Sequence, residues 1–156
     1  MNLNSDFRDL LLALNEADAR YLLVGGYAVG FYAEPRFTKD LDVWVSCEGT
    51  NPEKTYAALK RFGAPLSDLT VDDLATEGLV FQIGVPPSRI DILNQLSGGL
   101  DFDAAWAKKT SSDFGGVQVH FIGIDELIQN KKAAARSQDL RDVRTLERAR
   151  EKRTSE

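Results

Sequence analysis

Cysteine is almost missing from this chain, with Cys47 the single one. An internal disulfide is therefore excluded, and the thiol reads as structural or incidental in a reducing, cytoplasmic setting. Histidine is as scarce. His120 is the only one and lies far from Cys47 in sequence, so no Cys–His nucleophile pair is expected and His120 is given no role. Long apolar runs are absent too. None approaches the roughly 20 residues that a membrane-spanning helix needs, and the N-terminus has neither the basic start nor the apolar core of a signal peptide. A cytoplasmic protein with no membrane partner is the expectation.

What is present is an ordinary globular composition. With 156 residues, 43% hydrophobic and 28% charged, the chain can bury a substantial core and reads as one domain, residues 1–156. The formal net charge of −5 is unevenly spread: residues 131–156 hold nine Lys and Arg against five Asp and Glu, and the remainder holds ten against nineteen. A basic C-terminal helix can touch nucleic acid or a nucleotide's phosphates, or it can be a solvated face laced with i,i+4 ion pairs. Few exposed aromatics are identifiable for base stacking, which weakens nucleic-acid binding as a sole function.

The stretch 21–45 organises the rest. An apolar run, Tyr21-Leu22-Leu23-Val24, breaks at Gly25-Gly26 and passes into a short helical pattern that Pro35 ends. The polar residues Arg36, Thr38 and Lys39 lead into Asp40-Leu41-Asp42-Val43-Trp44-Val45. Strand alternation puts Asp40 and Asp42 on one face and Leu41 and Val43 on the other. Two neighbouring carboxylates repel unless a cation sits between them, and hard divalent cations prefer carboxylate oxygens. A glycine pair between strand and helix lets the backbone approach a phosphate that the helix N-terminus faces. Trp44 shares the face of Asp42 and either borders the site or is buried.

A glycine pair after a strand, thirteen intervening residues (27–39) and Asp-x-Asp on the next strand resembles the signature of the DNA polymerase β-like nucleotidyltransferase superfamily. With Arg36-Phe37-Thr38-Lys39 between them, the whole is similar to small bacterial nucleotidyltransferase-like proteins related to AbiEii-type toxins. That resemblance implies an α/β fold, a small mixed sheet flanked by helices, with a catalytic core over 20–122 and C-terminal helices over 123–150. It implies a third carboxylate on a later strand, and Arg89-Ile90-Asp91-Ile92-Leu93 supplies Asp91. It further implies that Lys131, Arg136, Asp139 and Asp142 meet nucleotide phosphates or support the site, although Gln138 stands where the family pattern often has Lys.

The remaining chain alternates helical and extended patterns. Helices are expected over 5–19, 52–62, 71–76 and 101–108, and over 124–135 followed by a last helix capped by Ser137. Residues 79–85 and 89–93 read as a hairpin joined through Pro86-Pro87, and 110–122 as another around Gly115-Gly116. Asp91 sits among Ile90, Ile92 and Leu93, a costly place for a carboxylate without a partner.

Together these readings predict a nucleotidyltransferase that moves a nucleoside monophosphate from a nucleoside triphosphate to a hydroxyl on a protein, a tRNA or a small molecule. Asp40, Asp42 and Asp91 are its expected ligands for Mg2+ or Mn2+, with Asp91 able to take the hydroxyl proton. Gly25, Gly26, Arg36, Thr38, Lys39, Lys131, Arg136 and Asp139 are its expected nucleotide contacts. The alternative is a catalytically silent nucleotide-binding module, one half of a toxin–antitoxin pair. An antitoxin or a second copy of the chain is the expected macromolecular partner.

Overall fold

The computed structural model describes residues 4–34, 38, 40–85 and 88–154. Helix α1 (Ser5–Glu16) leads into β1 (Tyr21–Val24), α2 (Gly25–Tyr32) and β2 (Asp40–Val45). Helices α3 (Asn51–Phe62) and α4 (Val71–Ala75) precede β3 (Val80–Ile83) and β4 (Arg89–Leu93). Then come α5 (Phe102–Ala107), β5 (Thr110–Phe114), β6 (Val117–Phe121), α6 (Ile124–Ala134) and α7 (Ser137–Thr154). The strands form one mixed sheet in the order β3-β4-β2-β1-β6-β5, flanked by helices as expected. Pro35 and Pro86-Pro87, expected to end α2 and to join β3 to β4, lie outside the described residues. Among the described residues no helix is long and apolar enough to cross a membrane.

Local chemistry explains the boundaries. The side chain of Asn4 accepts from the Asp6 N–H and starts α1, which stops at Glu16, three residues earlier than expected, where Asp18 takes a left-handed turn at φ 56°. Gly63 ends α3 in the left-handed conformation that glycine adopts without strain. Thr70 and Asp73 form a reciprocal capping box at α4. The expected strand over 79–85 shortens to β3, because Gly84 turns left-handed beside the Ser88 carbonyl. Helix α7 starts at Ser137, but the side chain that accepts a backbone N–H there is that of Asp139, from Arg136.

All four residues of β1 are buried, as a strand covered on both faces requires. Beside it, Phe31 stacks on Phe121 with ring centres 4.0 Å apart, and Phe7, Tyr27 and Phe114 meet edge to face. Trp44 belongs to this core: it is buried and packs edge-on to Phe102. His120 pairs with Ser111 and lies against the Tyr21 and Trp106 rings.

Two buried asparagines fasten the ends of the central strands. Asn51 accepts from the Arg20 N–H and donates to the Arg20 and Ser46 carbonyls, tying the start of β1 to the exit of β2. Asn94, just past β4, accepts from the Gly78 and Leu79 N–H groups and donates to the Leu74 and Thr76 carbonyls. Removing the Asn94 side chain takes one partner from each of the four backbone groups it serves. Asn94→Ala is expected to cost about 2 kcal/mol in urea unfolding, with the denaturant slope unchanged.

Candidate functional site

The register of three strands builds the site. In the antiparallel β1–β2 pair Val24 faces Asp42, and in the parallel β2–β4 pair Asp42 faces Asp91 and Asp40 faces Arg89. Alternation then sets Asp40, Asp42, Arg89 and Asp91 on one face of the sheet. The expected convergence of Asp91 on the Asp-x-Asp strand is what the pairing shows.

A cavity of about 730 Å³ opens above these residues and brings together Val24, Gly25, Gly26, Thr38 and the three aspartates. Its opposite wall comes from α6 and the start of α7, including Lys131, Arg136 and Asp139. Of the residues expected here from sequence, Arg36 and Lys39 lie outside the described residues. The others line the cavity except Asp142, which stands behind it in contact with Lys131, and Thr38 donates its hydroxyl to the Asp40 carbonyl at 3.3 Å and so braces the start of β2.

The carboxylates are crowded. Burial, then the charges of Asp91 and Asp40, push Asp42 up to about 7 against the opposing pull of Lys131, and a hydrogen bond with Asp91 adds to the rise. One Oδ1 each of Asp40 and Asp91 is buried without a hydrogen-bond partner. The glycine corner is part of this crowding. Gly25 has φ 68°, and a Cβ there would collide with Oδ2 of Asp42. The first glycine therefore makes room for the carboxylate as well as turning the chain. Val24 supplies no side-chain cap, so the N–H groups opening α2 are not claimed by a capping side chain.

Arg89 was not picked out from sequence. Its guanidinium lies 3.1 Å from Asp40 and 3.2 Å from Asp91, bridging them. The signal was there: Arg89 is two residues before Asp91, hence on the same strand face. Among the described residues no trio of carboxylate, imidazole or thiol side chains stands ready to grip a metal ion, and Arg89 supplies the positive charge instead. The donor chemistry nevertheless fits a hard cation, since all three side chains offer carboxylate oxygens and two of those oxygens are buried and unsatisfied.

The helical wall carries a second charge network. Lys131 is buried, with Nζ 3.2 Å from Asp139 and 3.3 Å from Asp142, and so joins α6 to α7. Arg136 places Nε 2.7 Å from Asp139 while most of its side chain stays exposed. Burial would raise Asp139, but hydrogen bonds from Arg136 and Lys131 outweigh it and hold the carboxyl below its usual range. Gln138, where the family pattern often has Lys, donates to Asp142 at 2.9 Å.

Two outcomes follow. Gly25→Ala is expected to destabilise by about 2 kcal/mol or more, from left-handed strain and the clash with Asp42, read as a lowered unfolding midpoint. The raised Asp42 means that the metal-free folded chain holds a proton that the unfolded chain releases between its ordinary value of 3.8 and about 7. Stability from this group is therefore present at low pH and lost as pH rises through that window. Asp42→Asn should remove that loss, so its stability relative to wild type should climb between about pH 4 and pH 7 in metal-free buffer and level off above.

Comparison of the chain with family models and with curated proteins gives no match. Solved structures do match. Among them is the lincosamide antibiotic adenylyltransferase LnuA, lincomycin-bound, at a TM-score of 0.60 and 12% identity over 94% of this chain and 97% of that one. At that identity the likeness is one of architecture: the chain has the fold of a nucleotidyltransferase.

Proposed function

We propose that the protein is a metal-dependent nucleotidyltransferase that moves a nucleoside monophosphate from a nucleoside triphosphate to a hydroxyl acceptor. The observation that carries this reading is the alignment of Asp42 with Asp91 across parallel strands, beside Asp40 and beneath the Gly25 corner. Asp40, Asp42 and Asp91 would hold Mg2+ or Mn2+, which when bound neutralises triphosphate charge. The open N–H groups at Gly25 and Gly26 would donate to phosphate oxygens. Arg136 would reach the same phosphates, held in place by Asp139. Lys131 would act from within the wall, where Asp139 and Asp142 fix its ammonium. Arg36 and Lys39 are proposed as further phosphate contacts on the strength of the sequence resemblance. Asp91 would take the acceptor proton.

One observation favours the silent alternative. Arg89 already bridges Asp40 and Asp91 and offsets part of their charge, so the cluster can exist without a metal ion. A nucleotide-binding module of the AbiEii-like kind, paired with an antitoxin or with its own copy, would keep the pocket and not turn over. The two readings separate on transfer. With Mg2+ or Mn2+ and each of the four α-labelled nucleoside triphosphates, wild type incubated with cell lysate should label an acceptor. Asp40→Ala/Asp42→Ala should lose at least about 100-fold in that labelling. Nucleotide binding with no transfer by wild type would establish the silent module instead.

A further inference from the structure

The two edges of the sheet differ. Strand β5 forms one edge and presents Ser111 and the charged Asp113 to solvent. Strand β3 forms the other, and among the described residues it pairs with β4 alone. Natural edge strands are commonly blunted by charges or prolines. β3 carries neither, no residue from Leu79 to Ser88 is charged, and Val80 and Val85 are 60% and 74% exposed. The register shows which of its backbone groups are free. The Asn94 N–H donates to the Leu79 carbonyl, so Leu79, Phe81 and Ile83 turn their backbone groups towards β4. Val80 and Gln82 turn theirs outward, where no further strand receives them. The side chains divide as cleanly. Val80 and Gln82 share the face of Leu93 and Asp91, while Phe81 and Ile83 share that of Ile92 and Ile90, with Leu79 in line with them. Ile83 is buried, but Leu79 and Phe81 are only half-buried. This row, aliphatic at both ends with an aromatic between, has the same character read in either direction. Gly78 and Gly84, left-handed at φ 101° and 76°, end the extended stretch symmetrically about Phe81.

We propose that β3 docks on β3 of a second copy of this chain, antiparallel, about a two-fold axis through Phe81. Val80 then faces Gln82 of the second copy, and each such pair exchanges both of its outward N–H and C=O groups. Phe81 meets Phe81 of the second copy at a position without hydrogen bonds, where side chains come closest, and Leu79 meets Ile83. The symmetry of the row is what selects a second copy over a foreign strand: every apolar residue finds an apolar partner, and no like charges face each other. A two-fold axis normal to the sheet leaves both aspartate clusters on the same face of the joined sheet. Gln82 pairs with Asp91, so Val80 of the second copy comes within two strand spacings, roughly 10 Å, of Asp91. The contact is small, and the dimer is therefore weak and reversible. None of this depends on the transferase reading.

The test combines sedimentation of the full chain with residue-resolved amide hydrogen exchange, each run from dilute protein up to about 100 μM. Wild type should shift from monomer to dimer over that range. Exchange at the Val80 and Gln82 amides should slow about fivefold or more with concentration, and exchange at Phe81 and Ile83, already bonded to β4, should change far less. Val80→Lys/Gln82→Lys sets like charges opposite one another across the axis and should stay monomeric. Val80→Lys/Gln82→Glu sets Lys opposite Glu and should restore the dimer. Both variants alter exposed side chains, so their urea midpoints in dilute solution should remain close to that of wild type. A wild type that stays monomeric, a dimer that survives the Lys/Lys change, or concentration-dependent protection confined to amides outside β3 overturns the proposal. Should either variant fail to fold, the exchange pattern of wild type decides the matter by itself.

Discussion

Carboxylate repulsion is the constraint from which the rest of the site follows. Three aspartates sit on neighbouring strands because β2 and β4 run parallel in a register that sets Asp42 against Asp91. Apart from charge compensation this arrangement is unfavourable, and Asp42, raised first by burial and then by the charges of Asp91 and Asp40, reports part of the conflict. Arg89 relieves part of it by bridging Asp40 and Asp91. Gly25 is required in the same place, because any side chain on it would occupy the space of the Asp42 carboxylate. The glycine corner, the acidic pair and the basic neighbour thus form one electrostatic unit.

The helical hairpin of α6 and α7 completes that unit from the other side. Burying Lys131 is tolerable only because two carboxylates of α7 receive it. The network fixes where positive charge faces the cavity while the aspartates supply the negative charge opposite.

Much of this was legible in the sequence because it depends on period and punctuation. Alternation placed Asp40 and Asp42 together, an aspartate in an apolar strand marked Asp91, and Gly115 and Gly116 marked a turn. What sequence could not give was register. Nothing local says that Asp42 lies opposite Asp91, or that Arg89 lies opposite Asp40. Trp44 could equally have bordered the site, and only tertiary packing against Phe102 settled it in the core. Asn51 and Asn94 each satisfy several backbone groups across long separations in the chain, which no local pattern signals. Helix ends moved for the same reason: the side chain that serves the start of α7 is Asp139, chosen by its contacts with Arg136 and Lys131 over the nearer Ser137.

The central claim is that Asp40, Asp42 and Asp91 together hold a cation that a triphosphate shares. Electron paramagnetic resonance of Mn2+ titrated into the protein tests it most directly, with and without a non-hydrolysable ATP analogue. Wild type should bind Mn2+ more tightly when the analogue is present, and Asp42→Asn/Asp91→Asn should lose that nucleotide-linked binding. Equal Mn2+ binding by wild type and variant would contradict the claim.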